Sequence, residues 1–112
     1  MIIDFNNIPA QHLEAFKGGE KEFVSKMHTD NLGKIMRGHL EPGASIGLHT
    51  HEGNSEIIFM LNGRGHVIYD DTTEELLPGQ AHYCPMGHSH SLINDSDAPL
   101  DFFAVVPEHH VK

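Results

Sequence analysis

A chain of 112 residues with 38% hydrophobic residues has material for one domain around one core, not two. Seven Lys and Arg against sixteen Asp and Glu leave a formal charge of −9; with no basic stripe to offset it, that field repels phosphate backbones and excludes nucleic acid as a partner. No apolar run approaches the roughly 18 residues that span a bilayer, the first residues lack a secretory signal, and the single Cys84 cannot close an internal disulfide. A cytoplasmic protein without membrane contact is therefore expected.

In chain order, residues 1–19 read as an N-terminal arm, and "IPAQHLEAF" predicts a short helix with Pro9 in its first turn and Gly18-Gly19 ending it. Residues 20–112 form the second unit, a single barrel domain. There the helical period vanishes. "EKEFVSKMH", "GKIMRGHLE", "SEIIFMLNG", "GHVIYD", "TEELLPG", "QAHYCP", "HSLIND" and "LDFFAVV" are short and mostly rich in β-branched or aromatic residues. Turn signals separate them, among them Asp30-Asn31, Pro42-Gly43, Asn62-Gly63 and Pro78-Gly79. Strands at this close spacing predict an all-β sandwich or barrel.

Eleven histidines stand out, seven of them between His39 and His90. Side chains along a strand alternate faces, so His49 and His51 point the same way. The four residues "EGNS" then turn the chain, and a strand beginning at Glu56 predicts an antiparallel hairpin that sets the carboxylate opposite the two imidazoles. Three such ligands suffice for a divalent ion with open positions. His90, on a fresh strand after the Pro85 and Gly87 bends, supplies a fourth.

The spacing G-x5-H-x-H-x4-E-x6-G is met by Gly43, His49, His51, Glu56 and Gly63, and G-x5-P-x-G-x2-H-x3-N by Gly79, Pro85, Gly87, His90 and Asn94. The pair resembles the two signature motifs of the cupin superfamily, matched at all ten fixed positions. The run "GLHTHEGNSEI" is similar to small bacterial cupins of the oxalate decarboxylase type. The resemblance implies a small jelly-roll barrel, a double-stranded β-helix, in which His49, His51, Glu56 and His90 bind one divalent metal. The donors suit Mn, Fe, Ni, Cu or Zn and disfavour calcium. Three neutral imidazoles and one carboxylate leave the ion a net charge of about +1, which favours an anionic, bidentate oxygen ligand.

Other residues are weaker candidates. Tyr83 and His88, beside the Pro/Gly turn, are candidate proton-moving catalytic groups; core packing is the alternative for Tyr83, a solvated turn for His88. Cys84 suits the core. His39 and His66 read as surface or satisfied core histidines, and Lys34 and Arg37 as cations that either meet an anionic substrate or lie on a solvated strand face. Ile58 and Met60 share the parity of Glu56 and, with Ile46 and Met36, are expected to wall the metal cavity. Ile57, Phe59, Leu61 and Phe103 take the opposite face, where bulky apolar side chains need cover; a homodimer would supply it. Two functions follow: a metal-dependent dioxygenase, decarboxylase, lyase or isomerase acting on a small anionic oxygenated compound, or a non-catalytic binding or sensing module with a metal-anchored ligand.

Overall fold

The period-two burial of apolar side chains organises this molecule. The computed structural model describes residues 1–110, and ten strands run through it: β1 (Gln11–Glu14), β2 (Glu22–Asp30), β3 (Gly33–Leu40), β4 (Ser45–Thr50), β5 (Glu56–Asn62), β6 (Gly65–Tyr69), β7 (Thr72–Leu76), β8 (Ala81–Cys84), β9 (Ser89–Ile93) and β10 (Leu100–Pro107). They make two antiparallel sheets, one of six strands in the order β1-β2-β3-β10-β5-β8 and one of four in the order β4-β9-β6-β7. From β3 onward every connection except β6 to β7 crosses between the sheets, and the fold is a jelly-roll barrel. β10 shows why: Leu100, Phe102, Ala104 and Val106 are buried while the residues between them are not. Phe102 stacks on Phe23 with centroids 5.7 Å apart, and Leu40, Met60 and Leu92 close the core around them. Each such side chain contributes about 1.5–3 kcal/mol by leaving water. No helix of the described residues is long and apolar enough to cross a membrane.

Two expectations are corrected. Residues 11–14 are not helical. They form β1, which pairs with β2 from Gln11↔Ser25 to Glu14↔Glu22; an isolated short helix is marginal, whereas the open edge of β2 satisfies a strand's backbone and Leu13 reaches the core. The only helical segments nearby are short 3-10 turns at Phe5–Asn7 and Phe16–Gly18. Second, β4 and β5 are not a hairpin. They lie in different sheets, because the turn between them docks on the end of β10: Ser55 N–H donates to the Pro107 carbonyl at 3.3 Å and Asn54 bridges to Glu108. The corner thus carries the chain across the barrel.

Asn94, the last position of the second motif, knots the opposite corner. It is fully buried. Its Nδ2 donates to the Leu40 and Ala98 carbonyls, both at 2.9 Å, and its Oδ1 accepts from the backbone N–H and hydroxyl of Ser96. Its backbone bonds both ways to Gly43 and Ala44, which start the first motif. Gly63 is also required where it stands: its φ is +79°, and a Cβ there would press on the Pro99 carbonyl.

Asn94→Ala takes the side-chain donor from the buried Leu40 carbonyl and is expected to cost about 1–3 kcal/mol. Urea unfolding checks it; a loss below the error of the extrapolation would mean that the corner is held by something else.

Candidate metal centre

The two motif segments are stitched together before any side chain is considered. His49 on β4 sits opposite His90 on β9. His51, just past the end of β4, donates its backbone N–H to the His88 carbonyl at 3.0 Å and accepts from Gly87 N–H at 2.7 Å. Glu56 opens β5 in the facing sheet, so its carboxylate meets the imidazoles across the barrel interior rather than along a ladder. His51, Glu56 and His90 are buried, and His49 is nearly so.

The four donors converge. His51 Nε2 lies 2.9 Å from His90 Nε2 and 3.1 Å from Glu56 Oε1; His90 Nε2 lies 2.9 Å from the same oxygen and 3.2 Å from His49 Nε2; His49 Nε2 is 3.9 Å from the carboxylate. Ligands about 2.1 Å from one ion and at right angles to each other are about 3.0 Å apart. Most of these separations are of that size.

Hydrogen bonding on the far side of each ring explains the orientation. His49 Nδ1 bonds the Gly47 carbonyl at 2.8 Å, and His51 Nδ1 bonds Asn54 Oδ1 at 2.7 Å. Both partners are acceptors, so both Nδ1 atoms carry the proton, and each neutral ring turns a bare Nε2 lone pair inward. Two lone pairs and a carboxylate oxygen then face one another within a buried space. Only a cation, a proton or a metal, makes that arrangement stable. The titration behaviour agrees. With a proton instead of a metal as the shared cation, burial raises the Glu56 carboxyl, but hydrogen bonds from His49, His51 and His90, made when an Nε2 is protonated, outweigh it and hold the group well below its ordinary 4.5. Burial lowers His51, yet the bonds to Glu56 and Asn54 win and raise it above 6.5.

His90 is held differently. Its Nδ1 bonds His82 Nε2 at 3.0 Å. His82 is buried on β8, and burial, followed by the neighbouring His90, pushes it down to about 4, so it is a neutral ring. In the tautomer where His82 Nε2 accepts from His90 Nδ1–H, His90 too presents a bare Nε2 to an ion. Sequence reasoning missed His82. The available signal was its parity with Cys84 in "AHYCP", opposite that of Tyr83.

The remaining candidates disperse. Tyr83 stands on the outer face of β8, 57% exposed, because β8 alternates and its inward places belong to His82 and Cys84. His88 turns to the surface, where Nδ1 bonds Asp70 at 2.7 Å and the ring stacks on Tyr69. Neither side chain joins the donor cluster. Cys84 is buried, and burial followed by the Glu56 charge pushes its thiol up to about 11, which keeps it protonated. His39 pairs with Asp101 and Glu41, and His66 with Asp95. Arg37 is exposed on β3.

A cavity of about 200 Å³ opens onto His49, His51 and Glu56, and Met36, Ile46 and Lys34 line it. Ile58 and Met60, expected to wall it, lie in the core instead, since β5 starts at the cavity with Glu56 and runs away from it. The lining includes Lys17, another residue without a sequence signal; Phe16–Gly18 folds back over β4, where the backbone of Lys17 lies against Gly47 so closely that a Cβ has no room. A larger cleft of about 610 Å³ lies along β6, β7 and β8 and reaches the donor cluster only through His82.

Residues 36–106 match the family model described as "Cupin domain". The chain is 32% identical over 95% of its length to the "Oxalate-binding protein" of Thermotoga maritima, covering 93% of that protein. Among solved structures, a predicted oxalate decarboxylase from T. maritima superposes with a TM-score of 0.90 at 28% identity, covering 96% of this chain and 99% of that one. A sugar phosphate isomerase of the cupin superfamily from Silicibacter pomeroyi superposes at 0.79 with 21% identity, over 96% and 76% of the two chains, a likeness of fold alone.

His82→Leu removes the acceptor for His90 Nδ1, and affinity for a divalent ion is expected to fall about 10–100-fold. His82→Gln, whose amide oxygen accepts the same bond, should recover most of it. Competition against a chromophoric chelator measures both, and equal affinity of the leucine variant and the parent would remove His82 from the centre.

Proposed function

This chain belongs to the cupin family, and from that premise we propose that His49, His51, Glu56 and His90 hold one divalent transition metal on which a small anionic oxygenated compound binds. The observation that carries the reading is the set of bare donor atoms turned inward by Gly47, Asn54 and His82. Mn, Fe, Ni or Zn suits this nitrogen and carboxylate set. The bound ion supplies Lewis acidity, polarising a carbonyl or stabilising an enolate.

The chain's own residues do the rest. Asn54 and the Gly47 carbonyl orient two imidazoles, Glu56 lowers the charge of the centre, and the apolar side chains beside it exclude water. On this reading the protein is a metal-dependent enzyme of the dioxygenase, decarboxylase, lyase or isomerase class. Binding without turnover is the second reading. The name of the Thermotoga relative, an oxalate-binding protein, favours it. So does a cavity whose lining holds no tyrosine, cysteine or histidine besides His49 and His51. We also propose a homodimer through the outer face of the six-stranded sheet, where Ile57 and Phe59 are exposed beside Tyr83.

Elemental analysis of untagged protein is expected to find about one metal per chain, and Glu56→Ala or His90→Ala should each remove most of it. Stoichiometric metal in both variants would defeat the assignment. The raised His51 has to release its proton when it ligates, so metal affinity should rise with pH through neutrality and be lost as His51 protonates below it; affinity flat between pH 5.5 and 8 would contradict the ligand set. A carboxylate screen on metal-loaded protein, following oxygen uptake and carbon dioxide release, separates enzyme from binder. Light scattering at micromolar concentration is expected to give the mass of a dimer, and a monomer would refute that interface.

A further inference from the structure

We infer that the cavity's ligand is an extended dicarboxylate, with a 2-oxo or 2-hydroxy acid at one end and a carboxylate at the other that Lys17 and Lys34 bind. This rests on the metal reading of the site and goes beyond it by naming the ligand's shape and its second charged end.

The cavity is larger than oxalate needs, and one part of its wall is apolar. Its volume of about 200 Å³ is that of about seven waters at roughly 30 Å³ each. Oxalate has six heavy atoms, and as a chelate it would keep both carboxylates at the ion. Much of the space beside Phe16, Phe23, Met27, Met36, Ile46 and Val106, which line the same cavity, would stay unfilled. An apolar wall of this extent matches a hydrocarbon segment between two polar ends.

Charge locates the far end. The chain has only seven Lys and Arg, yet two lysines line this one cavity. Lys21, by contrast, is tied to the Pro42 carbonyl, and Arg64 pairs with Glu75. Among the described residues neither Lys17 nor Lys34 enters an ion pair, which is also true of Lys26 and Arg37, and the Lys17 ammonium lies 5.7 Å from the centroid of the Phe16 ring that lines the same cavity. Glu52 in the lining is the one acid apart from Glu56. The metal with its ligands carries about one positive charge, and the two lysines less Glu52 add one more. A dianion with its charges apart complements both; a monoanion leaves the lysines unanswered.

Lys17 is built into place. Its φ of 55° and ψ of 28° are left-handed, a conformation uncommon for a residue with a side chain. The turn is locked by close backbone contact, since a Cβ on Gly19 or Gly47 would collide with Ser45 or Lys17. The carbonyl of Gly47 also orients His49. The turn that brings Lys17 to the cavity therefore packs directly against the metal centre's own scaffold.

The test is calorimetry on the full, metal-loaded chain, with metal content measured in every sample. The probes are oxalate, 2-oxo monocarboxylates of four to six carbons, and 2-oxo dicarboxylates of the same lengths. The dicarboxylates are expected to bind at least tenfold more tightly than oxalate or the matched monocarboxylates. In Lys17→Met/Lys34→Met that advantage should vanish, while metal content and oxalate affinity stay within about twofold. Lys17→Glu alone should make dicarboxylates the weaker class. Equal binding of the two series, tightest binding of oxalate, or lysine variants that leave the preference intact would overturn the inference while the metal reading stands. Parent protein that takes up no metal would overturn both.

Discussion

Three imidazole rings can share a small buried space with a carboxylate only if their protons are kept out of it. Everything at this centre follows from that constraint. Gly47 and Asn54 take the protons of His49 and His51 on the outer side of each ring, and His82 does the same for His90. Bare donors facing inward are costly without a cation and favourable around one. The barrel converts a proton inventory into a cluster of donors that could hold a metal ion.

The two sheets are needed for this geometry because no single ladder provides it. His49 and His90 pair across β4 and β9, whereas Glu56 arrives from the opposite sheet. The corner at 52–55 makes the crossing, and its Asn54 both bridges to Glu108 and anchors His51. Asn94 fixes the far corner by joining Gly43 and Ala44 to the end of the second motif. Motif positions that touch no metal thus hold apart, at the right distance, the strands that would.

Much of this was legible in the residues. Eight strand segments, the turns between them and the four converging side chains were readable from alternation, Gly/Pro punctuation and motif spacing. The outward set of Ile57 and Phe59 followed from parity alone. Other features were not legible, for identifiable reasons. "AQHLEAF" carries helix formers, and only the free edge of β2 makes a strand of it. Ile58 and Met60 have the parity of Glu56, but parity gives a face and not a depth, so the core received them instead of the cavity. Tyr83 and His88 were near the site in sequence; alternation along β8 and the Asp70 carboxylate turned them away.

By itself the sequence determined the class of fold, the turn positions and which four side chains meet. The first two depend on local periodicity and on backbone bends that particular residues impose; the four donors were legible through motif spacing and its resemblance to the cupin motifs, since the hairpin that alternation suggested does not form. Only the tertiary structure decided which sheet each strand entered, that His82 backs His90, and that a turn from the chain's first twenty residues carries Lys17 to the cavity. These are contacts between segments distant along the chain. They are set by which strand edge is open and which backbone lies close enough to accept a hydrogen bond, and no spacing rule encodes that.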